Sequence, residues 1–142
     1  YGNWPRSGEI DIVETINEKS DELVTTIHYG FDYHRQISKT TFLNQLTKLS
    51  NPIDHNKISL IWEEKYFEWL LNDQLVFKVN FDEVENLTHN PFLEEFYLLV
   101  NVAVGGNWPG PPNSTMYCNS RKSCPDVKKL IVDYIAYYEK IN

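Results

Sequence analysis

Basic residues are scarce in this chain: 13 Lys and Arg stand against 20 Asp and Glu, for a formal charge of −7 over 142 residues. Nucleic-acid phosphates demand clustered cations, so nucleic acid is not an expected partner. No apolar run approaches the roughly 18 residues of a membrane-spanning helix, and no membrane partner is expected. The start lacks the charged, apolar and small-residue order of a signal peptide. No internal repeat, low-complexity stretch or dividing linker is visible, and no segment reads as a long helix. His34 and His55 have no partner at metal-ligand spacing and read as solvated side chains. Cysteine is limited to Cys118 and Cys124, six residues apart in a loop-like stretch rich in Asn, Ser, Arg and Lys. That spacing predicts a local disulfide in an oxidising, extracellular compartment, with two free thiols as the alternative. Asn86-Leu87-Thr88 and Asn113-Ser114-Thr115 are glycosylation sequons, which fit a secreted protein.

What is present reads as strands and turns. Leu23 to Tyr29 is a strand candidate, Lys57 to Trp62 and Tyr66 to Leu71 alternate apolar and polar residues, and Asn72-Asp73 supplies a turn before Gln74 to Val79. A turn is expected over Asn17 to Asp21. Gly30 to Asn51 is mixed; Phe42, Leu43, Leu46 and Leu49 are spaced almost like a short helix, but loop and edge strand are the expectation. Phe92 to Val104 opens irregularly and ends as a nearly all-apolar strand, the pattern of a strand covered on both faces. Gly105 to Ser114 is loop, dense in Gly and Pro.

Chemistry concentrates in Gly8-Glu9-Ile10-Asp11-Ile12-Val13-Glu14. β-branched residues mark a strand, and period two places Glu9 and Asp11 on one face with Ile10 and Ile12 on the other. In a regular strand Glu14 would point to the apolar side, which costs several kcal/mol for an unpaired charge. A β-bulge at Ile12-Val13 removes the conflict by returning Glu14 to the face of Glu9 and Asp11. Glu9 and Glu14 would then have Cα atoms about 13 Å apart at roughly 3.3 Å per residue. Side chains leaning together could bring their carboxyls to about 5 Å, the separation of a retaining glycosidase. Asp11 between them can hydrogen-bond one glutamate, while crowding raises at least one pKa, as a general acid requires. The alternative is a solvated acidic strand face. Aromatics, 14% of the chain, offer flat apolar faces on which pyranose rings stack. Trp62 and Trp69 lie within hairpin strands, and at least one is expected in the core.

Together with Tyr1-Gly2-Asn3-Trp4-Pro5-Arg6-Ser7 before the strand and Asn101 to Gly110 downstream, GEIDIVE resembles the family 16 glycoside hydrolases, most closely their laminarinase-like branch, whose hallmark is E-I-D-x-x-E with the bulge. Thr26 to Gly30 resembles the strand following the catalytic one, Ile61 to Val79 the central hairpin, Phe96 to Gly106 the F-Y-L-x-x-N-x-A-V-G-G strand, and Leu130 to Tyr138 the closing strand. The resemblance implies an all-β jelly-roll sandwich of the concanavalin A-like kind, with residues 1–142 forming a single portion of its catalytic domain. The family's N-terminal strands have no counterpart here, Tyr1 is not an initiator methionine, and a sandwich often needs roughly 200 residues or more. The chain is therefore expected to be the C-terminal portion of a larger enzyme, to hydrolyse β-glucan poorly alone, and to associate with the missing N-terminal segment or another chain.

By the same resemblance, Glu9 is the nucleophile, Glu14 the acid and base, and Asp11 the assistant of Glu9, in a retaining hydrolysis of β-1,3-glucan, laminarin-like or mixed-linkage. No cofactor is implied for the chemistry. Trp4 and His28 would line the subsite next to the scissile bond. Trp108, on the Gly-Gly-Asn-Trp-Pro-Gly loop, would contact sugar or cap the core. A structural calcium is implied, with Asp133 among its ligands. Two other functions share the fold. A non-catalytic β-glucan recognition module characteristically loses the carboxylates, all three of which stand here, whereas a transglycosylase or galactanase would keep them and differ in its acceptor subsites.

Overall fold

A computed structural model describes residues 2–16, 19, 21–45, 55–84, 89–111 and 130–140. The chain clusters into two compact units, Tyr1–Tyr97 and Leu98–Asn142, and every described strand lies in the first. β1 (Glu9–Glu14), β2 (Glu22–Tyr29) and β3 (Arg35–Phe42) form one antiparallel sheet in the order β1-β2-β3. β4 (Ile58–Glu63), β5 (Tyr66–Leu71) and β6 (Gln74–Asn80) form a second, in the order β4-β5-β6. The described residues contain no α-helix; 3-10 turns occupy Leu43–Gln45, Phe81–Glu83 and Pro91–Leu93.

Alternation explains which faces meet. On β2 the odd positions Leu23, Thr25, Ile27 and Tyr29 are buried, and on β5 Phe67, Trp69 and Leu71 are, as a period of two requires of a sheet with one covered side. Ile27 and Tyr29 of the first sheet share a core with Phe67, Trp69 and Val79 of the second, closed by Val84 and Phe92. A smaller cluster joins Leu23, Leu43 and Leu71. The first unit is thus a sandwich. Its centre is aromatic: the Phe67 ring meets Trp69, Phe81 and Phe92 edge-on at 5.6, 4.9 and 5.3 Å, a geometry that adds to simple burial. Of the two hairpin tryptophans, Trp69 is fully buried, while Trp62 is half-exposed and donates its Nε1–H to the Phe92 carbonyl at 3.0 Å.

Turn chemistry sets the register. Asn72 and Asp73 both take positive φ, 51° and 65°, the two-residue hairpin turn that Asn tolerates and that matches strand twist. The Asn72 side chain accepts from the Lys57 N–H at 2.9 Å, which ties the β5–β6 turn to the entry of β4. The mixed segment after Gly30 resolves into the edge strand β3 and the turn Leu43–Gln45, as expected for loop and edge strand. Leu46, Leu49 and most of the turn expected over Asn17 to Asp21 lie outside the described residues.

Two expected strands are absent. Residues 95–104 and 130–140 have no regular secondary structure, although Phe92 to Val104 and Leu130 to Tyr138 read as strands. Apolar β-branched sequence supplies propensity, but a strand exists only when a neighbour completes its hydrogen-bond ladder. In the second unit the one described ladder contact is the bridge between Gly106 and Gly110. Leu99, Val102, Val104, Ile131, Ile135, Tyr137 and Tyr138 are correspondingly exposed.

Replacing Trp69 by Ala should lower the unfolding free energy by about 3–5 kcal/mol in chemical denaturation, because the cavity sits at the meeting point of both sheets. An effect below about 1 kcal/mol, the size of a surface change, would remove Trp69 from the centre of the core. Apolar exposure on this scale in one unit should also drive association, so light scattering on the purified chain should find species larger than a monomer. A monodisperse monomer would contradict that expectation.

Candidate active site

The first sheet pairs Glu9 with His28, Ile10 with Ile27 and Asp11 with Thr26, and then shifts register so that Glu14 faces Val24. Ile12 and Val13 together oppose Thr25, which is the extra residue of a bulge, at the place the misplaced Glu14 predicts. Glu9, Asp11 and Glu14 consequently share the face of His28, Thr26 and Val24, while Ile10 packs against the core behind them. The bulge is held from the second sheet: Trp69 Nε1–H donates to the Asp11 carbonyl at 3.3 Å.

Each carboxyl has a distinct environment. Glu9 Oε2 accepts from the Trp4 indole N–H at 2.6 Å. Trp4 precedes β1 in a turn closed by Arg6 N–H to Asn3 O at 2.9 Å and Gly8 N–H to Pro5 O at 3.1 Å, so the sequence around Trp4-Pro5 delivers the indole to Glu9. Gly8 has a φ of +76°, and a Cβ there would lie 3.0 Å from Pro91, which leaves little room for any other residue at the entry to the strand. Asp11 has a side chain only 13% exposed. Burial first, then the charges of Glu14 and Glu9 and a hydrogen bond to Glu9, raise its pKa to about 7. Glu14 is likewise raised, by burial and then by the Glu9 charge. Two of the three carboxyls thus have raised pKa values, Asp11 to about 7 and Glu14 in the same direction, beside a third that receives hydrogen bonds.

His28 Nε2 lies 3.0 Å from Asp11 Oδ2. The contact has ion-pair distance but not hydrogen-bond alignment, and Oδ2 is buried with no hydrogen-bond partner. Burial lowers the pKa of His28; the Glu9 charge opposes that shift and His34 adds to it. The His28 ring thus favours its neutral form beside an Asp11 whose pKa is raised to about 7.

One member of the cluster escapes a reading of spacing. His34, which the sequence suggests is solvated, brings Nε2 within 2.7 Å of His28 Nδ1, stacks on the His28 ring at 4.9 Å and lies 4.8 Å from Trp4. Gly30 makes this return possible: its φ is +135° and a Cβ would stand 2.0 Å from the Tyr33 carbonyl. Glycine after the His-Tyr pair was the available signal, since it marks a sharp turn that folds the chain back over His28.

Trp108 and Asp133 belong to the second unit, where both are exposed; Trp108 sits in a loop closed by Gly106 N–H to Gly110 O at 3.1 Å. Among the described residues no group of three His, Cys, Asp or Glu gathers to hold a metal. Cys118, Cys124 and both sequons lie outside the described residues.

No family model matches the chain. It is 34% identical over 115 residues to a glucan endo-1,3-beta-glucosidase of Cryptopygus antarcticus, covering 78% of this chain and 42% of that protein. It is 30% identical over 158 residues to glucan endo-1,3-beta-glucosidase A1 of Niallia circulans, covering 99% of this chain and 20% of the relative. Among solved structures, the laminarinase catalytic domain of Thermotoga maritima superposes with a TM-score of 0.68 and 32% identity, over 81% of this chain and 46% of that one. The chain spans less than half the length of these relatives. With the bulged E-I-D-x-x-E strand on a jelly-roll sandwich and these likenesses along most of its length, the chain belongs to the family 16 glycoside hydrolases, in their laminarinase-like branch.

Proposed function

We propose that the protein hydrolyses β-1,3-glucan internally, with laminarin-like or mixed-linkage chains as substrates, by double displacement with retention at the anomeric carbon. The observation that carries this reading is the bulge, which brings Glu9, Asp11 and Glu14 to one face with two of them poised to hold protons. The Glu9 carboxylate attacks the anomeric carbon as the glycosidic C–O bond breaks, and Glu14 gives its proton to the leaving oxygen. Water then adds to the same carbon, losing a proton to Glu14, and Glu9 departs as carboxylate. Asp11 and Trp4 both donate to Glu9, which holds its orientation. Glu14 suits the acid role because burial and the Glu9 charge raise its pKa. Exposed Trp4 offers a ring for sugar stacking at the scissile bond. Secretion and a Cys118–Cys124 bridge complete the reading, as the Asn-rich loop and the sequons suggest.

Role assignment is tested by substitution in the longest form expressed from the gene. Glu9→Gln should abolish laminarin turnover while sparing binding. Glu14→Ala should lose about 10² to 10⁴ in kcat yet recover with substrates whose leaving group needs no proton, and azide should then yield a β-configured product. Full activity of Glu9→Gln on laminarin would refute the assignment.

The pH dependence has a defined sign. Asp11 ionises at 3.8 when unperturbed and at about 7 when folded, so the folded chain holds the extra proton between those values. Its contribution to stability is complete below about pH 4 and is lost as pH rises through about 7. Activity should fall over the same alkaline limb, as Asp11 stops donating to Glu9 and Glu14 loses its proton. Denaturation midpoints followed from about pH 4 to pH 8 should show this slope in the wild type and a shallower one in Asp11→Asn, where only the raised Glu14 still contributes. An unchanged slope in that variant would assign it to another group.

A further inference from the structure

His28 and His34 form a pair whose geometry demands a direction. A neutral imidazole has one N–H, and His28 has two neighbours to serve. Its Nε2 faces Asp11 Oδ2 at 3.0 Å, a buried oxygen without a hydrogen-bond partner. Its Nδ1 faces His34 Nε2 at 2.7 Å. Placing the proton on Nε2 lets a small rotation of the ring satisfy Asp11, and Nδ1 must then accept from His34. The opposite placement leaves two acceptors facing each other at Oδ2 unless Asp11 turns its proton away from Glu9, with which it shares a hydrogen bond. His34 is itself held in place. Gly30 permits the turn, Tyr33 Oη accepts from Arg35 at 2.6 Å with the guanidinium 4.4 Å above its ring, and the His34 ring is flanked by Trp4 and His28.

We propose that His34 is a positioning residue: its Nε2–H holds His28 in the Nε2–H tautomer, so that His28 donates to Asp11 Oδ2 while Asp11 keeps its own proton on Glu9. Donation then runs in one direction, from His34 to His28 to Asp11 to Glu9, and meets the Trp4 donor at the same carboxylate. The outer partner of an imidazole decides which nitrogen carries the proton, so removing His34 frees His28 to change tautomer and releases Asp11. The catalytic consequence rests on the glycosidase reading given above; the tautomer does not.

Two measurements separate these layers. Long-range proton–nitrogen NMR spectra of the histidine side chains, recorded on the whole chain at a pH where imidazoles are neutral, report the His28 tautomer directly. The wild type should show a single Nε2–H form. His34→Phe, which keeps a ring against Trp4 but removes the donor, should show a tautomer mixture, and His34→Gln, whose amide N–H reaches the same place, should restore the single form. A wild-type His28 in the Nδ1–H form, or a single Nε2–H form persisting in His34→Phe, would overturn the proposal; the wild-type spectrum decides it even where a variant folds poorly. On laminarin, kcat of His34→Phe should fall by up to about 100-fold with KM little changed, as expected when a catalytic group is misplaced, and should recover in His34→Gln. Unchanged kcat in His34→Phe would defeat the positioning role. The laminarin assays use the longest form expressed from the gene; a wild type of that form that leaves laminarin intact would instead defeat the glycosidase reading, with the spectra still deciding the tautomer.

Discussion

The buried indole of Trp69 is the contact on which the first unit depends. Its ring lies at 0% exposure between the two sheets, edge-on to Phe67 and 5.2 Å from Phe77. Its N–H crosses to the Asp11 carbonyl. β1 is an edge strand, and the bulge interrupts its ladder with β2 between Asp11 and Glu14. Backbone at such an interruption needs a partner from elsewhere, because a buried carbonyl left without one costs roughly 1–3 kcal/mol. A single tryptophan therefore supplies both the apolar volume that joins the sheets and the donor beside the bulge. Core and site are coupled through it.

That coupling explains how an acidic face survives on a folded sheet. Three carboxyls on neighbouring positions would repel one another if all were ionised, and burial makes each charge more expensive. The chain resolves the conflict by holding protons rather than by supplying cations. Asp11 and Glu14 are both raised, His28 is lowered, and no Lys or Arg pairs with any of the three among the described salt bridges. A cation placed there would stabilise the sheet but would also depress the carboxyl pKa values that a proton donor requires.

Much of this was legible in the sequence where the controlling contacts are local or periodic. Glu14 out of step with Ile10 and Ile12 pointed to the bulge, alternation pointed to β4 and β5, and Asn72-Asp73 pointed to the hairpin. His34 was not legible from its own neighbours, because its partner lies across a turn whose closure depends on Gly30 meeting Tyr33. Residues 95–104 and 130–138 failed in the opposite sense. Their composition favours strands, but a ladder is a property of two segments, and one segment's propensity cannot supply the other. The link from Trp69 to Asp11 spans 58 positions and leaves no trace in any window of sequence.

The division of labour between the two glutamates follows from where hydrogen-bond donors lie. A carboxylate that accepts from an indole and from a protonated neighbour is held in one orientation by the two donors. Glu9 has both, Trp4 at 2.6 Å and Asp11 through its shared proton. Glu14 is affected mainly by burial and by the Glu9 charge, both of which favour its neutral form. The asymmetry does not need different residue types, only different surroundings, and the bulge creates them by moving Glu14 into register with Val24 while Glu9 remains opposite His28. Exchanging the roles would require Glu14 to ionise in a buried place beside a charge of its own sign. That cost supports Glu14 as the group that protonates and Glu9, oriented by its two donors, as the group that attacks.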